Sequence, residues 1–252
     1  MSAAPVSAKY LNAGNLSAKN LTVENLTVKY TNDSAASAAV EQVGFTLRPG
    51  ESAALIGANG AGKTTLLLAL VGVVPAITGE IKIGPDVLSK KTLRGFRSRI
   101  GLVFQNPDDQ LFMPSIYEDV AFGPRSFGCS EAETEARVEG ALRALGIAHL
   151  RGRSPLKLSG GEKRLCAIAT ALAMEPEYLL LDEPTAFLDP RARRGLAATL
   201  STLKQGKLIA THDLPFAESA CGRVLALRGG RLIADGGPAL LRDAAALEAA
   251  GL

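Results

Sequence analysis

The stretch "ALIGANGAGKTTLLLAL", Ala54 to Leu70, sets a glycine-rich loop between an apolar run and a leucine-rich one. Its centre, "GANGAGKTT" from Gly57 to Thr65, has the form GxxxxGK[ST] in the strand–loop–helix context that this motif requires. Gly57, Asn59, Gly60, Ala61 and Gly62 form a tight loop whose backbone N–H groups face inward. The helix beginning near Gly62 adds its unpaired N–H groups and its positive end, so a polyphosphate is held with few cationic side chains. Lys63 supplies a point charge for the outer phosphates, Thr64 offers a hydroxyl to Mg²⁺, and Thr65 bonds a phosphate.

A site of this kind needs an acid at the end of a buried strand, and "YLLLDEPTAFLDP", Tyr178 to Pro190, supplies one. Asp182 is placed to hold Mg²⁺, largely through water, and Glu183 to polarise or deprotonate the attacking water. "LIATHD" repeats the design, with His212 at the γ-phosphate edge. The other histidine, His149, has no companion motif and reads as surface filler. These parts imply binding and hydrolysis of a nucleoside triphosphate. A nucleotide kinase would need an acceptor site, and none is recognisable.

Buried strands whose carboxyl ends carry polar residues imply a largely parallel sheet covered by helices. The expected fold is α/β: a P-loop core with a mostly parallel sheet, an N-terminal antiparallel β subdomain and an inserted α-helical subdomain, about residues 106–172. "NLTVENLTVKY" reads as the first strand, "TNDSAASAA" as a loop, and "VGFTLRPGESAALIG" as a hairpin-like pair broken at Pro49–Gly50. Ser130 is the expected N-cap of a helix with Val138, Leu142 and Leu145 on one stripe. Residues 1–20 read as a flexible extension, 21–236 as the ATPase domain and 237–252 as a short helical tail. Basic residues number 28 and acidic ones 25, a net charge of +3 too small and scattered for a nucleic-acid partner. Cys129, Cys166 and Cys221 form no CxxC pair and read as free thiols of a reducing compartment. No apolar run reaches spanning length.

"LSGGEKR", Leu158 to Arg164, chooses among P-loop classes. Ser159, Gly160 and Gly161 open a second helix with a hydroxyl and free N–H groups suited to phosphate. One nucleotide already held at Gly57–Thr65 has little use for it, but the nucleotide of another subunit has. Here the sequence resembles the ATP-binding cassette (ABC) ATPases. The resemblance is carried in order by the glycine loop, Gln105, "LSGGE", "LLLDEP", Asp189 and His212. It implies a head-to-tail dimer, a homodimer or a heterodimer with a similar ATPase, that sandwiches two ATP molecules. Asp189 then lies in the loop crossing that interface, where Phe187 departs from the small or polar residue often found. Tyr30 matches the aromatic that stacks on adenine. Gln105 bonds Mg²⁺ or the attacking water and forms the hinge to the helical lobe.

With one cassette and no fused membrane span, the resemblance implies a peripheral subunit on the cytoplasmic face of the cell membrane, serving a separate permease. "FQNPDDQLF", Phe104 to Phe112, resembles the ATPases of energy-coupling-factor importers. In that group a transmembrane coupling subunit and a separate substrate-capturing membrane protein complete the machine. The compact tail fits the cobalt or nickel members better than the vitamin members. Other ABC importers or exporters, and a soluble ATP-switched scaffold, stand as alternatives. Leu111 and Phe112 are expected to face the coupling subunit, and Asp108 and Asp109 to serve loop geometry or partner contact.

Overall fold

The computed structural model describes residues 19–30 and 38–252. Residues 1–18 of the extension read over 1–20, and most of the loop "TNDSAASAA", lie outside the described residues. Two sheets organise the chain. The smaller has the order β2-β1-β4-β5 and is antiparallel throughout: β1 (Leu21–Val28), β2 (Val40–Leu47), β4 (Thr78–Ile83) and β5 (Asp86–Val87). The larger has the order β10-β9-β3-β8-β7-β6. Its strands are β3 (Ser52–Ile56), β6 (Ile100–Val103), β7 (Tyr178–Asp182), β8 (Gly206–Ala210), β9 (Arg223–Arg228) and β10 (Arg231–Gly236). They pair in parallel except for the antiparallel β9–β10 edge.

Strand periodicity divides the interior in two. Ala54, Ile56, Leu179, Leu181, Ile209, Val224 and Ala226 point into one cluster with the helical lobe. Their neighbours Ala53, Leu55, Leu180, Leu208, Leu225 and Leu227 point into another, with α1 (Lys63–Leu70) and the small sheet. Both faces of the large sheet are covered, which is why its strands read as unbroken apolar runs.

The expected hairpin at Pro49–Gly50 does not form. β2 pairs with β1 in the small sheet, and β3 enters the large sheet between β9 and β8. The turn carries the chain from one sheet to the other. β1 has its own irregularity: the register shifts between Val23 and Leu26, where Asn25 takes φ +47°. That shift returns Leu26 and Val28 to the buried face after two exposed residues. Tyr178 joins the two sheets. Its hydroxyl accepts from Leu21 N–H at 3.0 Å and faces the carbonyls of Lys19 at 2.6 Å and Leu47 at 3.2 Å.

Between β6 and β7 the chain is helical. α3 (Ile116–Phe127), α4 (Glu131–Ala144) and α5 (Gly160–Leu172) pack together after α2 (Leu93–Arg99). Ser130 and Glu133 form a capping box on α4, and Val138, Leu142 and Leu145 are buried. On α3, the Tyr117 ring lies under the guanidiniums of Arg125 and Arg151, at 5.5 and 4.4 Å. The turn before α3 corrects the reading of the apolar pair. Leu111 is core, 6% exposed, whereas Phe112 is 63% exposed and lies edge-to-face with Phe122, 5.4 Å between centroids. Buried Asp119 fixes that split by accepting from the N–H groups of Phe112 at 2.9 Å and Met113 at 3.0 Å.

After β7 come α6 (Pro190–Thr202) and α7 (Leu214–Ala220). The tail is a 3₁₀ turn at Pro238–Arg242 followed by α8 (Ala244–Ala250). Cys166 and Cys221 are buried, Cys129 is half-buried, and all three are free. Among the described residues no helix is long and apolar enough to cross a membrane.

Candidate nucleotide site

The glycines of the loop answer two close approaches. A Cβ at Gly57 would lie 2.2 Å from the Leu227 carbonyl oxygen, and one at Gly62 would lie 2.2 Å from that of Ala39. Gly62 also takes φ +103° as the N-cap of α1, a backbone that side chains rarely allow. β9 and the residue before β2 therefore press directly against the loop, which follows β3 at the carboxyl end of the large sheet.

There the loop meets the ends of β6, β7 and β8 in a cleft of about 360 Å³. Asn59, Gly60, Ala61, Gly62, Lys63, Thr64, Thr65, Gln105, Asp182, Glu183 and His212 line it, with Ala39, which sequence reasoning did not single out. Lys63 is buried, and its ammonium donates to the carbonyls of Gly57 at 2.7 Å and Ala58 at 3.2 Å. It stands 3.8 Å from Glu183 Oε1.

Glu183 is 6% exposed and takes φ +42° immediately after β7. That kink turns its carboxylate across the strand ends: His212 Nδ1 is 2.9 Å from Oε1, and the His212 N–H donates to Oε2 at 3.4 Å. Thr64 Oγ1 donates to Asp182 Oδ2 at 2.7 Å, joining α1 to β7. Burial raises the Asp182 carboxyl above its ordinary range, opposed by the Thr64 hydrogen bond. Asp182 Oδ1 is buried with no hydrogen-bond partner. A buried carboxylate with one orphaned oxygen, a hydroxyl beside it and a second acid next in sequence make a hard-oxygen donor set suited to Mg²⁺. Among the described residues no cluster of three or more His, Cys, Asp or Glu side chains forms a metal cage. An ion here would rely on phosphate and water oxygens as well.

Tyr30 lies outside the cleft lining but is half-exposed beside it, its hydroxyl 3.1 Å from Thr65 Oγ1. The remaining candidates are elsewhere. Ser159 and Gly160 are exposed at the start of α5, with Gly161 next to them, and none of the three lines the cleft. Ser159 and Glu162 form a capping box there. Asp189 caps α6, accepting from Ala192 N–H at 2.8 Å. The two groups are neighbours, since a Cβ on Gly160 would lie 3.9 Å from the Phe187 carbonyl oxygen.

Two further residues escaped the sequence reading. Arg164 is 1% exposed, and Gln110 bonds both the end of β6 and α5. The signal for Arg164 was its spacing, four and seven residues before buried Ile168 and Ala171 on the inward face of α5.

Sheet order, loop and strand-end acids define a P-loop nucleoside triphosphatase. The ABC transporter family model matches residues 40–186, more than half of the sequence. The chain belongs to that family, and it binds ATP and hydrolyses it. It is 46% identical over 220 residues to the cobalt import ATP-binding protein CbiO of Rhodobacter capsulatus, covering 85% of this chain and 79% of that protein. To the energy-coupling factor transporter ATP-binding protein EcfA of Carboxydothermus hydrogenoformans it is 43% identical over 217 residues, 85% and 80% of the two chains. The solved structure of cbiO1 from Clostridium perfringens, part of the ABC transporter complex cbiONQ, superposes with a TM-score of 0.81. That match has 36% identity and covers 91% of this chain and 93% of that one.

Proposed function

We propose that this chain is the ATPase subunit of an energy-coupling-factor importer whose cargo is cobalt. The observation that carries the catalytic half is Glu183, buried, kinked toward the cleft and held between His212 and Lys63. Lys63 and the loop N–H groups bind the outer phosphates. Glu183 orients the attacking water and takes its proton as the water oxygen bonds the γ-phosphorus and the bridge to ADP breaks. His212 keeps the carboxylate aimed at that water. Thr64 and Asp182 would hold Mg²⁺, which when bound supplies charge neutralisation of the phosphates. Gln105, exposed at the cleft rim, reports the γ-phosphate to the helical lobe.

The separation of Ser159–Gly161 from the cleft supports a head-to-tail dimer, in which one subunit's α5 completes its partner's site. Asp189 and Phe187 lie on the same side as Ser159 and belong to that interface. Tyr30, exposed beside Thr65, stacks on the adenine. Exposed Phe112 and Phe122 form the apolar face offered to a transmembrane coupling subunit, and the protein works peripherally at the cytoplasmic face of the membrane. Cobalt is put ahead of nickel because the Rhodobacter relative is a cobalt import protein.

The test is reconstitution in vesicles with the membrane subunits of the native source. ATP-dependent cobalt uptake that vanishes in Glu183→Gln is the expected result. A complex that drives nickel or a vitamin inward and leaves cobalt outside would overturn the cargo assignment and leave the ATPase assignment standing.

A further inference from the structure

The last turn of α8 is fastened to the phosphate loop. Ala250 is fully buried, and its carbonyl accepts from the Ala58 N–H at 3.3 Å. One residue earlier, the Ala249 carbonyl accepts from Arg228 Nη1 at 2.9 Å. The helix end closes the two carbonyls before these. Leu252 N–H donates to the Leu247 carbonyl at 2.9 Å and Gly251 N–H to that of Glu248 at 3.0 Å, with Gly251 at φ +77°. Each carbonyl that the end of α8 leaves open is therefore occupied, and one of them by the phosphate loop.

The Ala250 bond falls on a particular peptide group. A trans peptide is planar, and its N–H and C=O point to opposite sides. Holding the Ala58 N–H therefore fixes where the Gly57 oxygen points. That oxygen accepts from Lys63 Nζ at 2.7 Å, and the Ala58 carbonyl accepts from the same ammonium at 3.2 Å. An ammonium has three donors, so one is left for an outer phosphate. Hydrogen bonds in series through one peptide also polarise one another, which strengthens Gly57 as the acceptor for Lys63. The contact is close: a Cβ on Gly251 would lie 3.3 Å from Ala58 Cβ.

We propose that the last turn of α8 orients Lys63 for the triphosphate through the Gly57–Ala58 peptide, with Arg228 as the positioning residue that anchors the turn. When α8 shifts, the Ala58 N–H loses its acceptor and the Gly57 carbonyl is free to turn away. The ammonium then loses its seat, and ATP binding weakens while Glu183 and His212 keep their own contact. The short helical tail is thus a working part of the nucleotide site. This role of α8 rests on the assignment of Lys63 to the outer phosphates made above.

The experiment uses the full chain and reads equilibrium ATP binding, KM, kcat and hydrogen exchange of the Ala58 amide by NMR. Arg228→Met releases the Ala249 carbonyl, and Gly251→Ala presses a Cβ on Ala58 and strains the cap. Each should raise KM for ATP about fivefold and keep kcat within about threefold. Each should also speed exchange at Ala58 by about tenfold. Arg228→Lys should recover part of the affinity, because a cation still faces the helix end. A merely structural tail would lower the melting temperature and leave KM and Ala58 exchange as in the parent, and that pattern overturns the proposal. If either variant fails to fold, the other decides by the same readings. A double-mutant cycle tests the route through Lys63: in the Lys63→Ala background, Arg228→Met should cost no further ATP affinity. Parental affinity in Lys63→Ala alone removes the phosphate-loop assignment and this inference with it. Weak binding there with additive losses in the cycle removes this inference alone.

Discussion

Glu183 and Phe187 both hold backbone conformations that side chains other than glycine adopt rarely, with φ of +42° and +62°. At Glu183 the cost is offset by contacts, because the carboxylate is buried against His212 and Lys63. Replacing it by Gln keeps the shape and removes the proton acceptor. Turnover should fall by about 10²–10⁴-fold with ATP binding retained, read by phosphate release and equilibrium nucleotide binding. Hydrolysis at the parental rate would remove Glu183 from its role. Phe187 is 85% exposed, so its side chain gains little burial in return among the described residues. Phe187→Gly should therefore stabilise the isolated subunit by about 1 kcal/mol, roughly 2–4 °C in melting temperature. A lowered melting point would mean that the ring packs on something in the free chain. At this scale the glycine loop, the two acids and His212 were legible because motif spacing fixes them. The kinks were not, since no apolar pattern encodes a φ angle. Arg164 was missed because a charge following Lys163 reads as a solvated helix face unless its spacing to Ile168 is counted.

The parallel strands, α4 and α5 were readable from continuous apolar runs, caps and stripes, whereas the partners of β2 and β3 were not. Both flank a Pro–Gly turn, and nearest-neighbour pairing predicts a hairpin. The difference lay in their patterns: β2 alternates, as a strand covered on one face does, and β3 is apolar on both faces. Tyr178 has a measurable consequence for how the sheets are held. Burial pushes its hydroxyl up to about 12 from an ordinary 10.0, with the Leu21 N–H opposing. The folded state thus holds this proton more tightly than the unfolded chain. The resulting stability is fully present below pH 10.0 and is lost as pH rises toward about 12. At 1.36 kcal/mol per unit this amounts to about 3 kcal/mol. Tyr178→Phe should be weaker at neutral pH by about 1–2 kcal/mol, for the lost hydrogen bonds. Its disadvantage should shrink above pH 10, as urea midpoints on either side will register. A constant gap across that range would show that the phenol ionises without strain in the folded protein.

The molecule as a whole is a nucleotide-binding core with a helical segment between β6 and β7, at whose start Leu111 is buried and Phe112 is exposed. Phe112→Asp should leave the fold and the isolated ATPase intact while releasing the membrane subunits during co-purification. Loss of folding instead would place Phe112 in the core with Leu111. The three tyrosines among the described residues fall in three separate regions of this assembly. Tyr30 stands beside the cleft, Tyr117 between two arginines of the lobe, and Tyr178 at the junction of the sheets. The sequence contains no tryptophan, so no indole masks them. With the fourth tyrosine, Tyr10, changed to Phe, ultraviolet difference spectroscopy can therefore follow these three regions as phenol signals, without a label and with single Tyr→Phe changes to assign each one.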